Sequence, residues 1–237
     1  MSTLPAMRLK THWFKPGAPK TPEQQAGATG FVIWRVSIQM LKRMRGAQFD
    51  IEAGTAYFDF VREVLVFLVL VADRLAHQRF DAETRVLFTT ALVKHVADTL
   101  QGNEEDLLGL RPADAVSAQD QFIDLFNELA GHYAEFDGDP NPVDPQSNAS
   151  RRPPPEGVSQ LGSGPSLTRT EFTPGFAFMR YLGHRLEATL PEKDRRWVIE
   201  QVMASEAPEA VALVQRTLRD LHNTEPRKMR HSSVGAD

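Results

Sequence analysis

The stretch 64–72 reads V-L-V-F-L-V-L-V-A, without a single polar side chain, and it restricts the fold more than any other part of the chain. Asp59, Arg62 and Glu63 precede it, and Asp73, Arg74 and His77 follow. A helix that is apolar all round must be covered on every side. A bilayer crossing takes about 20 such residues, so this run is too short to span one. The spacing predicts a central helix over 50–79, enclosed by other helices, with its polar ends near the surface. Asp50 is expected to cap it, and Glu52 to favour the positive end of its dipole.

The segments around this run supply its cover. Thr21, Pro22 and Gln24 form a capping box with proline at the first helical position. Phe31, Trp34, Ile38 and Leu41 then recur at helical spacing, widened by Ile33, Met40 and Met44, which predicts an amphipathic helix to about Gly46. Asp81 is expected to cap a third helix, with Val86, Val93, Val96 and Leu100 on its apolar side, Phe88 and Leu92 alongside, and an end at Gly102-Asn103. After an acidic connector from Glu104 to Arg111, Pro112 is expected to open a fourth helix. Its stripe is Phe122, Leu125, Phe126, Leu129, Tyr133 and Phe136. Short connectors between four such helices suggest antiparallel neighbours in a bundle.

The pattern breaks over 137–169, where seven prolines stand among Gly and Ser with almost no large apolar residue. Such a composition buries too little surface to offset the entropy of ordering, so it reads as a linker. Three further helices are expected over 170–223. They open near Thr173-Pro174, at Pro191 and at Pro208. Phe176, Met179, Gly183, Leu186 and Leu190 share a face of the first, Trp197, Val198 and Val202 mark the second, and Val211, Val214, Leu218 and Leu221 the third. No strand or repeat signal competes with this reading. The expected architecture is all-α: a basic arm over 1–20, a helical bundle over 21–136, the linker, the helices over 170–223, and a basic tail over 224–237.

Charge is segregated along the chain. Residues 101–150 hold eleven acids and one base, Arg111, although the whole chain is only at −4. The first twenty residues carry Arg8, Lys10, Lys15 and Lys20 without an acid, and Arg227, Lys228 and Arg230 lie in the tail. Such asymmetry guides oppositely charged partners or keeps a chain in solution. The absence of cysteine excludes a disulfide framework, thiolate catalysis and Cys-ligated metal sites. The N-terminal residues contain no apolar core of a secretory signal, and a cytoplasmic location is expected.

The motifs of phosphate-binding loops, dinucleotide folds, serine hydrolases and zinc proteases are all missing. No basic stripe or helix–turn–helix spacing points to specific nucleic-acid readout. What remains is a short set of carboxylates and histidines. Glu128, His132 and Glu135 share one face of the fourth helix at a spacing able to ligate a divalent ion. That face continues through Asp120 and Asp124 opposite or beside the apolar stripe, which favours a solvated acidic surface able to dock a basic partner. His184 and Glu187 form another helical pair, in the reverse order to the ferritin-like Glu-x-x-His. On the central helix, Asp59, Glu63, Arg74 and His77 fall within about 60° of one another. Glu63 abuts the apolar run and needs a buried partner, for which Arg35, Arg85 and His95 are the candidates. If its acidity is perturbed, Glu63 is the first candidate for a functional acid.

The expected function is non-catalytic: an adaptor or chaperone-like assembly factor that binds another protein, with no cofactor, through Asp120, Asp124, Glu128 and Glu135. The alternative is a helical-bundle metal or cofactor protein using Glu63, His77, His95, Glu128, His132 or His184.

Overall fold

The computed structural model describes residues 20–46, 54–111, 114–136 and 171–222. Their order is α1 (Pro22–Gly46), α2 (Thr55–Arg79), α3 (Ala82–Leu108), α4 (Ala118–Ala134) and α5 (Phe176–Thr189). A 3-10 turn (Glu192–Asp194), one α-turn, α6 (Arg195–Trp197), and a π-helical segment (Val198–Glu206) then lead into α7 (Ala207–His222). The fold is all-α, with no strand among the described residues. No described helix is long and apolar enough to cross a membrane. The expected arm over 1–20 apart from Lys20, the whole of the linker and the tail, together with Asp50 and Glu52, lie outside the described residues.

α2 is the axis of the molecule, as the apolar run requires. Every side chain from Phe60 to Asp73 is buried, so no face of the helix meets solvent there. α1, α3 and α4 cover it from one side of the sequence, and α5 and α7 from the other. Leu182 and Leu186 of α5, Val198 and Val202 of the π segment, and Val214 and Leu218 of α7 join the same hydrophobic core as Leu65, Leu68 and Phe122. The helices that follow the linker are therefore part of the central helix's enclosure.

Local signals set the helix starts. Gln24 donates its backbone N–H to Thr21 Oγ1, and Thr21 N–H bonds back to Gln24 Oε1, which is the capping box. Asp81 accepts from the Thr84 amide at 2.8 Å. Other boundaries differ from expectation. α2 begins at Thr55 behind Gly54. α3 does not stop at Gly102-Asn103 but continues to Leu108, because Glu104 is drawn inward by arginines and its turn stays helical. It ends at Gly109, whose φ of 85° favours glycine. α4 starts at Ala118, where Ser117 accepts from the Asp120 amide, rather than at Pro112. α5 starts at Phe176 behind Gly175, Pro191 leads into the 3-10 turn rather than a regular helix, and Pro208 occupies the first turn of α7.

The buried faces also shift in three helices. In α1 the core side is Ala26, Thr29, Ile33, Met40, Leu41 and Met44, while Phe31 is partly exposed and Trp34 and Ile38 half-buried. Gly30 explains part of this. A Cβ there would lie 2.6 Å from His95 Cδ2 and 3.4 Å from Leu92 and Val96, so α1 and α3 meet at a position without a side chain. In α3 the buried set is Phe88, Leu92, Val96 and Leu100, with Val86 63% exposed. In α5 Phe178 and Leu182 point inward and Phe176 outward. α4 keeps the expected stripe, with Phe122, Leu129 and Tyr133 buried and Leu125, Phe126 and Phe136 packed against the core.

Candidate functional site

The polar flanks of the apolar run are tied to the surrounding helices by ion pairs. Glu63 faces α5, where Arg185 donates from Nε at 3.0 Å and from Nη2 to the other oxygen. Arg185, and not Arg35, Arg85 or His95, is thus the partner that Glu63 requires. Its bond to Glu63 holds the guanidinium above its ordinary range. Arg85 is engaged elsewhere: with Thr89 it holds Asp73, bonding Oδ1 from Nε at 3.0 Å. Arg62 reaches Glu104 at 2.7 Å and Asp59 at 2.6 Å, and Arg111 grips the other Glu104 oxygen. At the far end of α2, Arg79 and Arg219 share Glu171, and desolvation lowers the Arg79 affinity for its proton.

The sequence expected Asp59, Glu63, Arg74 and His77 to lie along one line, but the structure distributes them. Asp59 pairs within its own helix, Glu63 turns to α5, Arg74 sits 5.4 Å over the Phe178 ring, and exposed His77 has Nδ1 3.4 Å from Arg85. Each oxygen of Glu63 already accepts from Arg185, beside the aromatic cluster of Tyr133, Phe178 and Tyr181. Burial and the Glu63 charge push the Tyr133 phenol upward, so it stays protonated. This arrangement ties the register of α2 to that of α5.

The remaining candidates are separated on the surface. Asp120, Asp124, Glu128 and Glu135 are all exposed along the outer side of α4. His132 is exposed too, with its ring 6.0 Å from that of Tyr181. His95 faces the Gly30 crossing, and His184 is exposed on α5. Among the described residues no three His, Asp or Glu side chains are grouped to hold a metal ion.

Two features escaped the sequence reading. One is Glu206, the last residue of the π segment, which is buried with Oε2 accepting no hydrogen bond. The other is an apolar corner where α3 ends. Leu107, Leu108, Leu110 and Val116 are 50%, 44%, 83% and 54% exposed. Leu110 lines a surface cavity of about 160 Å³ with Glu104, Glu105, Arg111 and Ser117, and Leu107, Leu108 and Val116 stand close to these residues in the chain. Arg111 shapes this corner by donating to the Val116 carbonyl at 2.9 Å while it holds Glu104. A capping serine and the sequence L-L-G-L are the available signals, but acidic neighbours make the stretch 104–111 read as a connector. No family model, curated protein or solved structure matches the chain.

Proposed function

We propose that this is a non-catalytic protein that binds another protein at the corner between α3 and α4. The carrying observation is the group Leu107, Leu108, Leu110 and Val116, four large aliphatics left exposed within ten residues of chain, with Leu110 lining a cavity. A contiguous exposed apolar surface is characteristic of interaction sites, since covering it recovers roughly 25 cal/mol per Å². Glu105, Asp106 and Asp114 lie next to it in the chain, and the exposed acids of α4 begin at Asp120. The partner that suits this surface presents aliphatic side chains flanked by Lys or Arg. The apolar contact supplies affinity; the acids supply orientation and speed of encounter, and they weaken with salt. An adaptor or assembly-factor role, in the cytoplasm, is the corresponding setting.

Three proteins test it: the natural chain, Leu108→Ser/Leu110→Asp, and Asp124→Asn/Glu128→Gln/Glu135→Gln. Both variants change exposed positions, so their melting curves should stay within a few degrees of the natural chain. Cross-linked partners recovered at low salt should be lost with the leucine variant. With the acid variant they should be retained in part and become less sensitive to salt. An unchanged set of partners in the folded leucine variant would refute the corner as the binding surface.

A further inference from the structure

The buried carboxylates of α2 and α3, Glu63, Asp73 and Glu104, are each held by arginine, but Glu206 is treated differently. It sits where α1, the π segment and α7 meet, beside a small cavity of about 30 Å³ with Val36, Met40, Ala210 and Leu213 in its lining. Its side chain is only 8% exposed, yet Oε2 accepts no hydrogen bond. The nearest cation, Arg43 Nη1 of α1, stands 3.9 Å away and is committed to Glu209, at 3.3 Å. Glu209 in turn accepts from Ser205 at 3.2 Å. The charged groups that face Glu206 are therefore Arg43 from α1 and Glu209 from α7. The other side chains around it, Val36, Gln39, Met40, Ala210 and Leu213, do not titrate. The residue also terminates nine residues of π-helix, a register that is rare and recurs at functional sites.

We infer that Glu206 is a protonation latch on the seam between α1 and the C-terminal helices, closing it when neutral and loosening it when ionised. A neutral carboxyl tolerates this site, whereas a carboxylate bears a desolvation cost that Arg43, shared with Glu209, offsets only in part. Burial, and secondarily the Glu209 charge, push the Glu206 carboxyl up to about 7, with Arg43 opposing. The sign follows from linkage. The closed seam keeps the proton in a range where an opened, hydrated Glu206 has lost it, so closure is favoured at low pH and weakens as pH rises through about 7. This inference is independent of where a partner docks.

Hydrogen exchange on the full chain tests it, with amide rates in residues 32–44 and 198–213 corrected for their intrinsic pH dependence. From pH 6 to pH 8 the opening constant of the seam should rise about tenfold, given a closed-state value near 7 and an ordinary carboxyl when open. Glu206→Gln, which imitates the neutral acid, should show no such rise and should open less than the natural chain at both pH values, because an opened Glu206 is already ionised at pH 6. Glu209→Gln should move the transition to lower pH, because it removes a charge that helps keep Glu206 protonated. This second variant reads out the idea even where the first folds poorly. Equal pH dependence in the natural chain and Glu206→Gln, or a transition unmoved by Glu209→Gln, would overturn the latch.

Discussion

Phe67→Ala is expected to destabilise the fold by about 3–5 kcal/mol, in the range for a fully enclosed ring removed from a packed core. The side chain is 1% exposed, and its ring lies 5.6 Å from that of Phe178 and 6.3 Å from that of Tyr133. It therefore touches α4 and α5 at once, and its loss leaves a void that two helices would have to fill together. Leu68→Asp, at a position with no exposure, should give no soluble folded protein, because the carboxylate would have no partner there. Urea unfolding followed by circular dichroism measures the first, and soluble yield the second. A loss under about 1 kcal/mol for Phe67→Ala would place that side of α2 against solvent or a partner instead of a core.

The second large effect concerns the ion pair between α2 and α5. Arg185→Met removes both donors to Glu63 and leaves a carboxylate on the central helix with 8% of its side chain exposed. Breaking a buried pair from one side costs about 3–5 kcal/mol, and Arg185's own partial exposure puts this case at the lower end. Adding Glu63→Gln should recover most of the loss, since the uncompensated charge causes it and the pair itself contributes little net stability. A double variant as unstable as the sum of the singles would indicate that Glu63 and Arg185 act through separate contacts.

How much of this was legible depended on distance along the chain. The enclosed centre of α2 followed from its composition, and the Thr21/Gln24 box and the Asp81 cap are interactions within three residues, so the sequence carries them whole. The face of α1 was less visible because its inward side includes Ala26, Thr29, Gly30 and Ser37, whose small size permits close packing but gives no hydropathy signal. The end of α3 was set by Arg62 and Arg111 pulling on Glu104, a tertiary effect strong enough to carry a helix through Gly102-Asn103. Glu63's need for a partner was apparent, but Arg185 lies 122 residues away, beyond the linker. Glu206 was hidden for the same reason, and nothing in V-I-E-Q-V-M-A-S-E marks the register that buries it.

The most direct test of the joint enclosure of α2 is hydrogen exchange at residues 64–72, in the full chain and in a chain ending at residue 136. Amides covered on all sides should exchange only through global unfolding, while loss of α5 and α7 should open the side formed by Phe60, Glu63 and Phe67. The structure predicts the slowest exchange of the molecule at 64–72 in the full chain. It predicts markedly faster exchange in the shortened one, with protection regained when residues 170–223 are supplied as a separate chain. Equal protection of 64–72 in the full and shortened chains would contradict it, showing that the first four helices complete the core alone.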